Sequence, residues 1–304
     1  MQKRCGALNF DMIVLQYAID ALSVGGLYAL AALGIGLIFG IMRLVNFAHG
    51  DLLMVGSYAM FMLAVTVWPV TILGGVVIAI LVAVITERIA FRPLRAANPT
   101  TLLAASFAVS FFLQNFVLMI MGGRALGVDI VPALNEHIAW GTTSISVLNL
   151  FTIAMSVVLM GGLTLFLMRT QIGVHMRAAS EDVQMARMLG MRVNLVIATA
   201  FAISGLLAGA AAIVVLGKTG LVLPTMGLRL TLVAFVAVVI GGMGSLTGSV
   251  IAGYSLGILE VVLGGLLPLA ILPYREAFIF AVVLLFLMYR PGGIIKVAAL
   301  QERV

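Results

Sequence analysis

Long apolar runs dominate this chain. Stretches of about 20 mostly apolar residues, the length needed to cross a bilayer, recur near 12–40, 46–66, 70–90, 100–121, 146–168, 194–216 and 276–289. A longer one covers 229–267. Of the 304 residues, 63% are hydrophobic and only 9% charged, with a mean hydropathy of +1.24. A soluble domain carries about 25% charged residues, so there are too few here to coat globular domains of this length. The expected fold class is all-α: a polytopic membrane helix bundle with about eight transmembrane segments. Residues 1–304 read as a single transmembrane domain, because the longest polar stretch, 169–193, holds no globular module.

Charge placement orients the chain. The link after the third run carries Arg88, Arg92 and Arg95, and the link after the fifth carries Arg169, Arg177, Arg187 and Arg192. Both fall on one side, which is therefore cytoplasmic. Arg43, Arg290, Lys296 and Arg303 can join them, while Lys3 and Arg4 count to the opposite side unless 46–66 fails to cross. The net charge of +6 thus reflects loops beside a lipid bilayer and implies no nucleic acid. One cysteine, Cys5, excludes disulfide scaffolds and thiolate metal clusters. The first run is too long for a cleaved signal and carries Asp20.

The chain holds no engine of its own. Gly217-Lys218-Thr219 matches the end of a phosphate-binding loop, but Ala212 replaces its first glycine and an apolar helix precedes it. The intramembrane ionisable groups Asp20, His49, Asp51 and Glu260 are few and scattered for a proton or ion relay. Each must have a partner or sit near an interface; interhelical hydrogen bonding accounts for most of them, and Asp51 could partner His49.

The polar segment 173–190 specifies a short helix. Ser180 can cap its N-terminus, Glu181 and Asp182 suit the first turn, Arg187 the last, and Gly190 the left-handed stop. Residues 181–189 give roughly 14 Å of helix, too short to cross a membrane. Val183, Ala186 and Leu189 offer apolar surface suited to a protein groove. A solvated surface helix is the plain alternative to a peg on which a cytoplasmic partner pushes.

This segment resembles the coupling motif of ABC-importer membrane subunits, with Ala178-Ala179 followed by Gly190. A wider pattern resembles the branched-chain amino acid permeases: Asn46-Phe47-Ala48-His49-Gly50 with Gly56-Ser57-Tyr58, Glu87-Arg88 with Arg92-Pro93 and Arg95, and Phe112-Leu113-Gln114-Asn115. Ala179-Ser180-Glu181-Asp182, Gly241-Gly242-Met243-Gly244-Ser245 and Arg290-Pro291-Gly292 complete it, in order across nearly the whole chain. One departure is Arg177, where many importers carry an acidic residue. The length resembles the shorter of the two paired permease types. The resemblance implies a non-catalytic, multi-pass inner-membrane subunit of an ATP-driven importer. Its partners would be a second homologous permease, two ATP-binding cassette subunits that hold the ATP and Mg, and a periplasmic binding protein. This chain itself would bind no cofactor and no metal. The coupling segment, about 176–190, would comprise Arg177, Ala178, Ala179, Ser180, Glu181, Asp182, Ala186, Arg187 and Gly190. Import of urea, a short amide or another small polar solute is the alternative within that class; an ion-coupled carrier is the alternative outside it.

A zwitterion with an apolar tail needs hydrogen-bonding groups and apolar walls, often at helix interruptions. Two interruptions qualify. Asn46 can cap a helix from Phe47, with His49 and Gly50 in its first turns; Gly242, Gly244 and Ser245 lie in a glycine-rich break at 241–248, which leaves 229–267 as one bent helix or two short ones. Gln114 and Asn115 are polar residues inside an apolar run. The plainer reading of the glycines is close helix packing, at Gly205 and Gly209, Gly244 and Gly248, and Gly253 and Gly257, and that of Gln114 and Asn115 is interhelical hydrogen bonding.

Overall fold

The computed structural model describes residues 2–95, 97–130, 134, 136–140 and 143–295. Lys296, Arg303 and the side chains of Lys3, Arg4 and Cys5 lie outside the described residues. Among the described residues are eleven helices: α1 (Gln2–Met42), α2 (His49–Leu63), α3 (Trp68–Thr86), α4 (Pro99–Met121), α5 (Val147–Arg169), α6 (Gln171–Glu181), α7 (Val183–Met188), α8 (Val193–Thr219), α9 (Met226–Gly241), α10 (Leu246–Leu266) and α11 (Arg275–Tyr289). Four short strands, β1 (Leu126–Gly127), β2 (His137–Trp140), β3 (Thr143–Ser146) and β4 (Leu221–Val222), pair antiparallel as β1–β4 and β2–β3.

The all-helical bundle is as expected, and its spans divide into two kinds. Seven helices are long and apolar enough to cross a membrane. Residues 46–66 yield only the 15-residue α2, and 229–267 proves to be two helices, of which α9 has 16 residues. At about 1.5 Å per residue, both fall short of a 30 Å hydrocarbon core. These short helices are nevertheless almost wholly buried along one side.

Local chemistry sets the boundaries. Pro69 and Pro99 sit in the first turns of α3 and α4, where no N–H is needed. Gly122 (φ +77°) ends α4 and Gly220 (φ +62°) ends α8. The end of α3 loosens into a π-helical turn at Glu87–Phe91.

Small residues bring the central helices together. α1 and α10 run antiparallel with Gly253 against Ala29 and Gly257 against Gly25; a Cβ on Gly253 would stand 2.7 Å from the Ala29 backbone. Gly205 and Gly209 of α8 likewise lie on α3, facing Ala79, Ile80 and Val76. In these pairs glycine permits helix contact, because lipid supplies no hydrophobic drive and close backbone approach must do the work. In the spanning windows, α1 is 89% and α8 72% buried, against 11–33% for the other five. α1 and α8 therefore form the interior of the chain, and the other five its perimeter.

The two ends of the bundle differ. α6 packs on the C-terminal half of α1 and the end of α5, and the C-terminal segment at Gly292 and Ile295 meets Gly242 beside them. The arginine-bearing links lie at this end, which makes it the cytoplasmic one. The β1–β4 pair and the β2–β3 hairpin mark the opposite end, and residues 43–66, the inward fold and α2 together, lead the chain from the end of α1 to the start of α3.

Candidate functional site

The first interruption lies deep in the bundle. α1 stops at Met42, Arg43 adopts a left-handed turn (φ +55°), and residues 43–48 fold back into the protein before α2 begins. The His49 ring packs on Gly34, about 12 Å of helix before the end of α1, and its Nδ1 lies 2.9 Å from the Ser204 hydroxyl. Irregular backbone at such depth needs protein around it, and 43–48 has it. Asn46 is 1% exposed and closes this turn: its Oδ1 accepts from the Ala48 amide at 3.2 Å. It does not cap α2, which starts at His49 rather than Phe47, because Phe47 is drawn aside to stack on Phe107 (4.4 Å) and to meet Phe235 (5.3 Å).

The start of α2 meets the start of α9 backbone to backbone. A Cβ on Gly50 would overlap the Gly227 carbonyl and the Thr231 hydroxyl, and one on Gly227 would overlap Gly50. Glycine is required at both positions for the two short helices to cross.

Asp51 does not partner His49. It accepts a hydrogen bond from the Gln114 amide at 2.9 Å, and the same amide nitrogen lies 3.2 Å from the Ser110 hydroxyl. α4 thus supplies Gln114 to the buried start of α2. Asn115, one residue on, points outward and donates to the Phe111 carbonyl at 2.7 Å. Of the two α4 amides expected together, only Gln114 joins this cluster.

The glycine-rich break is elsewhere. Gly242 (φ +100°) and Gly244 (φ +96°) form a tight turn between α9 and α10, and Ser245 caps α10 by accepting from the Gly248 amide at 3.0 Å. The Ile294 and Ile295 amides bond back to Ile240 (2.7 Å) and Gly241 (3.1 Å). Gly244 lines a cavity of about 50 Å³ with Gly40, Met176, Arg177 and Ser180. Gly244 therefore faces α6 at the cytoplasmic end, with Gly242 and Ser245 in the same turn, and its contact with Gly40 lies about 9 Å of helix from His49's Gly34 contact.

The cytoplasmic link forms two helices rather than one. Thr170 caps α6 through the Gly173 amide (3.0 Å), and Asp182 breaks the helix and caps α7, accepting from the Gln184 (2.7 Å) and Met185 (3.0 Å) amides. Ser180 is not the cap: its hydroxyl donates to the Arg177 carbonyl inside α6 (2.6 Å). Asp182, at the junction of the two helices, offers its carboxyl group to the first amides of α7, whereas Ser180 still lies within the last turn of α6. Gly190 takes the left-handed stop at φ +79°. Met176, Ala179 and Ala186 are buried in the bundle, while Arg177, Glu181, Arg187, Met185, Met188 and Leu189 are exposed and Ala178 is half-buried. Ala186 faces the bundle, so the outward apolar surface is Met185, Met188 and Leu189 rather than Val183, Ala186 and Leu189. Beside α7, Arg95 pairs with buried Glu87 and donates to Asn194 at 2.5 Å. Burial pulls the Arg95 guanidinium below its ordinary value, with Glu87 acting the other way.

Other ionisable groups near the opposite end are partnered too. Glu260 accepts from Tyr28, Arg229 (2.9 Å) and Arg275 (2.7 Å), joining α1, α9, α10 and α11. Asp20 accepts from Asn149 at 2.6 Å. Sequence reasoning missed Ser204, Ser110, Arg229, Arg275 and Lys218 as partners. The two arginines, isolated cations at the starts of apolar helices, were the available signal.

The fold, with buried interrupted helices at its centre and a clamped helix pair at one end, is that of a multi-pass membrane permease component. The chain belongs to the family described as branched-chain amino acid transport system, permease component, whose profile matches residues 17–287. It is 33% identical over 302 residues to the high-affinity branched-chain amino acid transport system permease protein BraD of Pseudomonas aeruginosa, covering 92% of this chain and 95% of that one. It is 31% identical over 298 residues to LivH of Escherichia coli K12, again covering 92% and 95%. In fold it is similar to PsaBC from Streptococcus pneumoniae, with a TM-score of 0.54 at 14% identity over 91% of this chain and 92% of that one. It is thus a non-catalytic membrane subunit of an ABC transport system that includes other subunits, and its family carries no cofactor.

Proposed function

We propose that this chain is one of two homologous permeases of an importer for leucine, isoleucine and valine. A periplasmic binding protein delivers the solute, and two ATP-binding cassette subunits work on the α6–α7 segment. The observation that carries this reading is the build of that segment. Its inner face (Met176, Ala179, Ala186) is buried, and a Cβ on Gly173 would overlap the Phe166 carbonyl, so α6 folds hard against the end of α5. Its outer face presents Met185, Met188 and Leu189 among Arg177, Glu181 and Arg187, an apolar patch with a charged rim. A push on α7 reaches α8, and one on α6 reaches α1 and α5. Those helices carry Ser204 and Gly34, the partners of His49.

The solute assignment is supported by the named relatives and by the aromatic cluster of Phe47, Phe107 and Phe235 packed beside the polar start of α2 at His49 and Asp51. The test is ATP-dependent uptake of labelled leucine by the reconstituted complex. Isoleucine and valine are expected to compete. Glu181→Ala and Gly190→Ala should leave a folded complex that hydrolyses ATP without uptake. Uptake by liposomes holding this chain alone would overturn the reading, and failure of valine and isoleucine to compete would move the solute to urea or a short amide.

A further inference from the structure

At the end opposite α6, a cavity of about 460 Å³ opens between α1, α5 and α8, lined by Asp20, Val24, Leu148, Asn149 and Lys218. Its volume is in the range of small-molecule sites. Lys218 donates to Ser23 (3.3 Å), Ser23 donates to the Asn149 carbonyl oxygen (2.9 Å), and the Asn149 amide donates to Asp20 (2.6 Å). The two charged groups are thus held in one wall by a neutral bridge, and the ion pairs among the described residues do not include one between them. An ammonium has three donors and a carboxylate about four acceptor sites. The bridge takes one hydrogen bond at each end, so capacity for charge remains at both.

We infer that this cavity is a receiving site for an α-amino acid zwitterion, with its carboxylate on Lys218, its ammonium on Asp20 and its side chain against Val24 and Leu148. The pattern selects for both charges on one small molecule. A cation alone would meet Lys218 and an anion alone would meet Asp20, each a like-charge contact in a confined space. Ser23, fully buried, accepts from the Lys218 ammonium and holds it away from Asp20. The inference rests on the import of amino acids proposed above and adds where on this chain the solute is first held. An ethanolamine lipid headgroup carries the same pair of charges, so the two sources must be separated.

The experiment uses the full chain in phosphatidylcholine nanodiscs, with ligand binding read by saturation-transfer NMR. The probes are leucine, leucinamide (cation only) and 4-methylpentanoate (anion only). Wild type is expected to bind leucine at least about tenfold better than either analogue, the size of one charge-assisted hydrogen bond. Lys218→Gln should remove the preference over leucinamide only, and Asp20→Asn the preference over 4-methylpentanoate only. A purely structural network would instead lower the melting temperature of both variants and leave the preferences unchanged, which overturns the inference. So does loss of leucine binding when ethanolamine lipid is added, the mark of a headgroup site. If a variant fails to fold, Asn149→Ser, which shortens the bridge, must still shift leucine binding. ATP-driven leucine uptake by the assembled complex is measured in parallel. Its absence with the binding pattern intact refutes the import reading alone, and its presence without the pattern refutes this site alone.

Discussion

The two helix interruptions share a signature in the sequence, a polar residue or two among glycines within an apolar run, yet they differ in almost every structural respect. The turn before α2 is buried inside the bundle, and side chains from other helices stabilise it: Ser204 on His49, Gln114 on Asp51, Phe107 and Phe235 around Phe47. The α9–α10 turn lies at the cytoplasmic end and is held by backbone, through Ile294, Ile295 and its own left-handed glycines. A break deep in the bundle must satisfy polar groups within the protein and so recruits distant partners. A break at the end needs only a change of direction, which glycine supplies locally.

That contrast can be broken by substitution. The largest effect is expected from Gly50→Ala, whose Cβ would overlap the Gly227 backbone. A loss of about 3 kcal/mol, the upper end for overpacking, should appear in thermal unfolding of the purified chain, and a smaller one would mean that α2 and α9 can slide apart. Gly242→Ala follows at about 2–3 kcal/mol, since φ is +100° and the Ile295 carbonyl occupies the space. Gly244→Ala shares the strained φ but opens onto free space; about 1–2 kcal/mol is expected, and equal losses at the two positions would refute the role of the C-terminal segment. In α4, Gln114→Leu removes one of the two side-chain donors to Asp51, leaving Ser110, and should cost about 1–2 kcal/mol, whereas Asn115→Leu should stay within about 0.5 kcal/mol. The smallest contrast is in the lever. Asp182→Ala should destabilise the segment by about 1 kcal/mol through loss of the cap, with Ser180→Ala within about 0.5 kcal/mol, read as hydrogen-exchange protection of Gln184 and Met185.

Much of this was legible along the chain, and the limits are physical. Gly190 as a left-handed stop needs only its neighbours, and it stands as expected. Ser180 as a cap was also a local reading, and it failed because Thr170 starts α6 earlier and carries the helix past Ser180 to Glu181. The pairing of His49 with Ser204 spans 155 positions, and that of Tyr28 with Glu260 spans 232. No periodicity encodes such separations. Lys218 looked like the remnant of a phosphate loop; at the end of a helix beside Asp20 and Ser23 it belongs to a charged cavity instead.

Hydrophobicity and loop charge by themselves determined that the chain is helical, crosses the membrane many times and turns its arginine-rich links to one side, because transfer into hydrocarbon depends on what each segment contains rather than on what surrounds it. Tertiary structure alone decided which helices lie at the centre, where each interruption sits in depth and which buried polar groups meet. Those outcomes depend on how closely helix backbones approach, as at Gly25 and Gly257 or Gly50 and Gly227. That is a property of pairs of segments and not of either one.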